Sequence, residues 1–132
     1  MPAFLRRRGT QTVIAAIAFV AITVVMTWPI ARGLGHDIPA DLGDSLLNMW
    51  IMAWDAEAFV AMASGTMSFA QFWNGNIFHP APLTLTFSEH LIPQALQGLP
   101  FYMATGNIVL AYNVVFLATF ALSGLGMFLF VR

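Results

Sequence analysis

The chain has 132 residues, of which 59% are hydrophobic and only 8% are charged. A soluble domain carries about 25% charged residues, so this composition cannot cover a water-facing surface and implies an integral membrane protein. The net charge of -1 argues against a nucleic-acid partner, and the lack of cysteine excludes disulfides and thiolate metal sites.

The charges are sorted along the chain. The five basic residues are Arg6, Arg7, Arg8, Arg32 and Arg132, while all six acids fall between Asp37 and Glu89. Under the positive-inside rule both termini are cytoplasmic and the acidic middle lies outside.

Residues 1–10 form the cytoplasmic N-terminus. Gln11 to Ile30 is then a charge-free run of 20 residues, about the length needed to cross a ~30 Å hydrocarbon core. Trp28 and Pro29 fit its outer end, where aromatic belts sit. A secretory signal peptide is the alternative, but the run exceeds a usual apolar region and no A-x-A site follows it. An uncleaved anchor is expected.

Gly33, Gly35, Pro39 and Gly43 punctuate a loop. Asp44-Ser45 offers a helix N-cap ahead of a helix near 45–63. At 100° per residue, Asp44, Asn48 and Asp55 fall within about 40° of one another. A spanning placement of this helix costs roughly 2.5–3.5 kcal/mol for each of Asp55 and Glu57, so an interfacial helix is expected instead. Residues 64–90 are broken by Gly65, Asn74-Gly75-Asn76, Pro80 and Pro82, and the alternation Leu83-Thr-Leu-Thr-Phe87 predicts a short extended segment. A second interfacial or re-entrant helix is expected over 91–105, with Pro93 and Pro100 inside it. The 24 charge-free residues from 108 to 131 predict a second span, on which Thr119, Ser123 and Gly126 share a small-residue face.

The expected fold is therefore an all-α membrane protein, with transmembrane helices at 11–30 and 108–131. The outer segment 31–107 between them carries two interfacial helices.

Carboxylates at a membrane surface are the first functional candidates. Asp41 and Asp44 have a structural reading, as Asx turn and helix cap, and a functional one, as general base or metal ligand. Asn48 and Asp55 extend the face of Asp44. Glu89 and His90, with His79 upstream, form a weaker candidate for holding a divalent metal or moving a proton. Arg32 is the only cation in the outer segment and a candidate contact for a lipid phosphate. Most of Trp50, Trp54, Trp73, Phe72, Phe78 and Phe87 read as interface anchors, with a groove for lipid or sugar as the alternative role for one or two of them.

The order of a first span, Asp41-Leu-Gly-Asp44, Ser45-Leu-Leu-Asn-Met-Trp50, two surface helices and a second span resembles the N-terminal part of C-type (GT-C) membrane glycosyltransferases. More narrowly, Asp44-Ser-Leu-Leu-Asn48, Trp54-Asp55, Asn76-Ile-Phe-His-Pro80, Ser88-Glu-His90 and Gly106-Asn-Ile-Val-Leu-Ala-Tyr-Asn113 resemble a group of bacterial multi-span proteins of that type. The resemblance covers nearly the whole chain as a block pattern, although each motif is short. It implies an inner-membrane enzyme that transfers sugar from a polyprenyl-phosphate-linked donor at the outer face. An acidic residue of the first outer loop is essential there, and by position Asp41 or Asp44 takes the role, with Asp44 favoured because it adjoins the helix. A divalent metal such as Mg or Mn is a possible cofactor of that site, with Asp44, Glu89 and His90 as its candidate ligands. Asn48, Asp55 and Arg32 are the substrate-binding candidates. Such enzymes have many more spans, so the resemblance implies a piece that needs further transmembrane helices in cis or trans. A rival reading is a non-enzymatic two-span subunit that packs on larger membrane proteins. A transporter part is disfavoured, because neither span carries an ionisable residue for a substrate path.

Overall fold

The computed structural model describes residues 3–39 and 41–132, with side chains from Arg8 onward, so the side chains of Arg6 and Arg7 lie outside the described residues. Five α-helices follow in order: α1 (Ala3–Met26), α2 (Leu42–Ala63), α3 (Phe69–Phe72), α4 (Ile92–Thr105) and α5 (Ile108–Phe130), with short 3-10 turns at Ile30–Arg32 and Thr84–Phe87. No strand occurs among the described residues.

Two of these helices are long and apolar enough to cross a membrane: Arg8–Met26 of α1 and the whole of α5, each with a mean hydropathy of 2.0. A core helix of a soluble protein would be mostly enclosed, whereas these stretches are only 6% and 17% buried. Their lateral surfaces leave Ile14, Ile17, Val25, Leu122 and Leu129 exposed.

The two long helices pack on each other as an antiparallel pair. The Phe19 ring lies against Gly124, where a Cβ would come within 2.5 Å of it. At the far end the Arg132 guanidinium donates to Thr12 Oγ1 at 2.9 Å and to Gln11 Oε1 at 2.6 Å. The start of α1 and the end of α5 are thereby held side by side.

Helix α2 is central to the remainder because neighbouring residues on it seed two separate packing sites. Ile51 and Ala58 gather with Phe72 and Leu85 from the long connection that follows, while Met52 packs with Ala95 of α4 and Val115 of α5. Gly98 makes that second junction tight, since a Cβ there would lie 2.9 Å from Met52 Cε, 3.5 Å from Val115 Cγ2 and 3.6 Å from Ala111 Cβ. Helix α4 carries Pro100 within it and ends at Gly106, whose φ of 65° is the left-handed conformation that glycine adopts without strain. Asn107 then caps α5, its Oδ1 accepting from Leu110 N at 3.0 Å, so two helices meet across a two-residue corner.

Two expectations change. The segment 83–87 is not extended. Leu83 takes a left-handed φ of 56° and Thr84–Phe87 turn as a 3-10 helix, because the Thr86 amide and hydroxyl both donate to Leu83 O, at 2.9 and 2.7 Å. Threonine side chains compete in this way for backbone groups that a strand would pair. The region 64–90 is also less irregular than its glycines and prolines suggest. It contains α3, opened by a capping box between Ser68 and Gln71, and is stitched by Leu83 N to Asn74 Oδ1 (2.8 Å), Thr84 Oγ1 to Gly75 O (2.8 Å) and Trp54 Nε1 to Phe72 O (2.9 Å).

Candidate functional site

The carboxylates that the sequence singles out lie at the entry to α2. That helix starts at Leu42, and Asp41 is its N-cap, with Oδ1 accepting from Gly43 N at 2.8 Å. Capping thus falls to Asp41 and not, as the Asp44-Ser45 pair suggests, to Asp44. Asp44 occupies the first turn, is exposed and has no hydrogen-bond partner among the described residues. A negative charge there is favoured by the amide dipoles of the helix start. Ser45 turns inward instead, and its hydroxyl donates to Pro39 O at 2.9 Å, fixing the approach to the helix.

The face of Asp44, Asn48 and Asp55 runs from the surface into the interior. Asn48 is half-buried and Asp55 is fully buried, with neither carboxylate oxygen finding a partner among the described residues. Burial alone pushes the Asp55 carboxyl up to about 6, because desolvation penalises its charged form. The helices packed against α2 carry no lysine, arginine or histidine to offset this. Asp55 therefore sits apart from the exposed carboxylates. Glu57, on another side of α2, accepts from Tyr102 OH of α4 at 3.1 Å. Partial burial, then the Glu57 hydrogen bond and charge, push the Tyr102 phenol above its usual range.

Arg32 is exposed at the end of its 3-10 turn. His36 Nδ1 lies 3.1 Å from Gly33 O and 4.0 Å from Asp37 Oδ1. Glu89 and His90 are exposed, and the His90 ring meets the Trp73 ring edge-on at 4.8 Å. Among the described residues no group of three or more His, Cys, Asp or Glu side chains converges as a cation site. Asp44, Glu89 and His90 thus do not converge on one another in this structure.

One residue of consequence appeared in the sequence only within a motif. Asn113 is fully buried on α5, and its Nδ2 donates to Leu34 O at 2.9 Å and Asp37 O at 2.7 Å. Asn107 Nδ2 adds a bond to Gly35 O at 2.9 Å. Together with Ser45 these amides fasten the 34–39 loop to α5 and α2. The signal was present: Asn113 is the only amide side chain within the apolar run of α5.

The structure defines a helical chain in which two helices of membrane-crossing length flank an acid-bearing segment. No protein-family model, curated protein or solved structure matches this chain.

Proposed function

We propose that the chain serves as the N-terminal part of a GT-C-like membrane glycosyltransferase, with its termini on the cytoplasmic side and residues 31–107 at the outer face of the inner membrane. The observation that carries this reading is Asp44: an exposed carboxylate with no structural partner, on a helix whose cap is supplied by Asp41. In this reading the donor is a polyprenyl-phosphate-linked sugar. Asp44 takes the proton of the acceptor hydroxyl as that oxygen bonds to the anomeric carbon, and the donor's phosphate-bearing lipid leaves with the electrons of the broken bond. Arg32, the only arginine between Arg8 and Arg132, offers its charge to the phosphate.

The test is sugar transfer by the protein assembled with the further spans that such an enzyme requires. Asp44→Asn should insert and fold normally and lose transfer, because an amide cannot accept the proton. Full transfer by this variant would remove Asp44 from the chemistry, and a larger loss from Asp41→Asn would move the base three residues upstream.

A second reading, a non-enzymatic subunit, is favoured by one observation on α5. Thr119, Ser123 and Gly126 are exposed, and nothing lies within 4 Å of a Cβ placed at Gly126. This small-residue face is open to a helix from another protein. Gly126→Leu should impair such association, and an unchanged complex would count against this reading.

A further inference from the structure

At the end of the α1–α5 pair remote from the acid-bearing segment, Gln11, Ile14, Ala15, Phe128 and Arg132 line an open groove of about 400 Å³. Its walls are Ile14, Ala15 and the Phe128 ring, and its polar groups are Gln11 and Arg132. On each helix the polar residue lies about one turn further out than the apolar one. The groove therefore runs from a polar mouth at the end of the pair onto its apolar flank, where Ile14 is 61% exposed.

The Arg132 guanidinium is held in this mouth. Its Nη1 donates to Thr12 Oγ1 at 2.9 Å, its Nη2 donates to Gln11 Oε1 at 2.6 Å, and its carbon lies 5.5 Å from the centre of the Phe128 ring. Thr12 spends its own proton on Arg8 O at 3.1 Å, so its oxygen can only accept from Arg132. All three contacts are with neutral groups, and they orient the charge without cancelling it. Arginine has five N–H donors, and those not aimed at Thr12 and Gln11 remain for another acceptor. The Gln11 amide nitrogen, which takes no part in its bond to Arg132, supplies further donors. Arg8, one turn before Gln11 and Thr12, adds a second positive charge on that side of α1. Neither α1 nor α5 contains an acid, since the six acids run from Asp37 to Glu89.

We propose that this groove seats an anionic phospholipid. The phosphodiester accepts from Arg132 and Gln11, and the upper part of one acyl chain lies along Ile14, Ala15 and Phe128. The planar guanidinium matches two oxygens of one phosphate. An ethanolamine or choline headgroup would bring a cation up to Arg132 and Arg8 with no carboxylate to receive it, so a lipid of net negative charge, such as a phosphatidylglycerol, binds better. Because the guanidinium is already oriented, less ordering entropy is lost on binding. Arg32 lies beyond the opposite end of α1, so this lipid does not compete with the sugar donor proposed there. The inference rests on α1 and α5 crossing a membrane, but not on their direction or on the transfer chemistry.

The experiment uses the full chain, purified in detergent through a C-terminal tag, so that a peptide bond and not a free carboxylate follows Arg132. It is given equimolar phosphatidylglycerol and phosphatidylcholine of the same acyl composition, and native mass spectrometry reads the lipid retained. Wild type should retain the phosphatidylglycerol on the order of tenfold better, the size of one charge-assisted hydrogen bond. Arg132→Gln should remove most of that preference, whereas Arg32→Gln, an equal loss of charge beyond the other end of α1, should leave it intact. Gln11→Leu keeps the net charge and should still lower the preference, because it removes a holding contact and a donor. Equal retention of the two lipids by wild type overturns the inference. So does a preference that falls as far in Arg32→Gln as in Arg132→Gln, or one that Gln11→Leu leaves untouched, since either would make it an effect of net charge. Displacement by soluble glycerol phosphate at equal concentration overturns it as well, because the acyl chain would then contribute nothing. A dimer that excludes the lipid would give the groove to a second copy instead. Resistance of the chain to alkaline extraction from membranes tests the spans themselves, so a lost preference in an inserted chain falls on the groove alone.

Discussion

Asn113 and Asp37 stand 76 residues apart in the chain and are joined by a 2.7 Å hydrogen bond from the asparagine amide to the aspartate carbonyl. The same nitrogen also donates to Leu34 O. With Asn107 and Ser45, this buried amide sets where the loop ahead of α2 rests on α5 and α2. Asn113→Ala should leave two carbonyls short of a donor and cost about 1–3 kcal/mol. Thermal unfolding in detergent measures the loss, and hydrogen exchange at residues 34–39 should accelerate while exchange in α1 does not.

The buried carboxyl of Asp55 predicts a pH dependence. Its folded pKa, about 6, stands above its ordinary value of 3.8. Below about pH 4 the group is protonated in both states and costs nothing. As pH rises from 4 to 6 the unfolded chain releases the proton first, so stability falls, and it levels off above 6. The total is about 3 kcal/mol from that shift. Denaturation across pH 3.5–7.5 should show this slope in wild type and lose it in Asp55→Leu. That variant should be the more stable of the two at pH 7, since it replaces an unpartnered charge by an apolar group.

Periodicity shows correctly that Asp44, Asn48 and Asp55 share one side of α2, but it does not show depth. Asp55 is enclosed because later parts of the chain come back over the middle of α2, leaving its first turn open. That closure depends on contacts such as Met52 with Gly98, made between segments that nothing local connects. The two long apolar helices were legible because their signal is a property of one continuous stretch. The order within 64–90 was not, because it rests on single side-chain bonds such as Asn74 to Leu83, which leave no pattern in composition.

The Met52–Gly98 junction predicts a graded response to size. Gly98→Ala places a methyl 2.9 Å from Met52 Cε, the free end of a flexible side chain, and should cost under about 1 kcal/mol. Gly98→Leu cannot be absorbed there, with Val115 and Ala111 also close, and should cost about 1–3 kcal/mol. Equal losses from the two would mean that α4 moves freely against α2 and α5. Chemical denaturation of both variants decides between these outcomes.

The division of labour at the head of α2 can be measured apart from any enzymatic assay. Asp41 accepts from Gly43 N and is the cap, so Asp41→Ala should cost about 0.5–2 kcal/mol, whereas Asp41→Asn should cost little, because asparagine caps as well as aspartate. Asp44 accepts from no donor among the described residues and gains only from the helix dipole, so Asp44→Ala should cost about 0.3–1 kcal/mol, and less as salt is added. The two positions thus carry different signatures: rescue by asparagine at 41, and a salt-screened loss that asparagine does not rescue at 44. If Asp44→Ala were the more damaging and Asp44→Asn restored stability, Asp44 would be the cap. Its carboxylate would then be occupied, and the assignment of a free base at the outer face would fall with it.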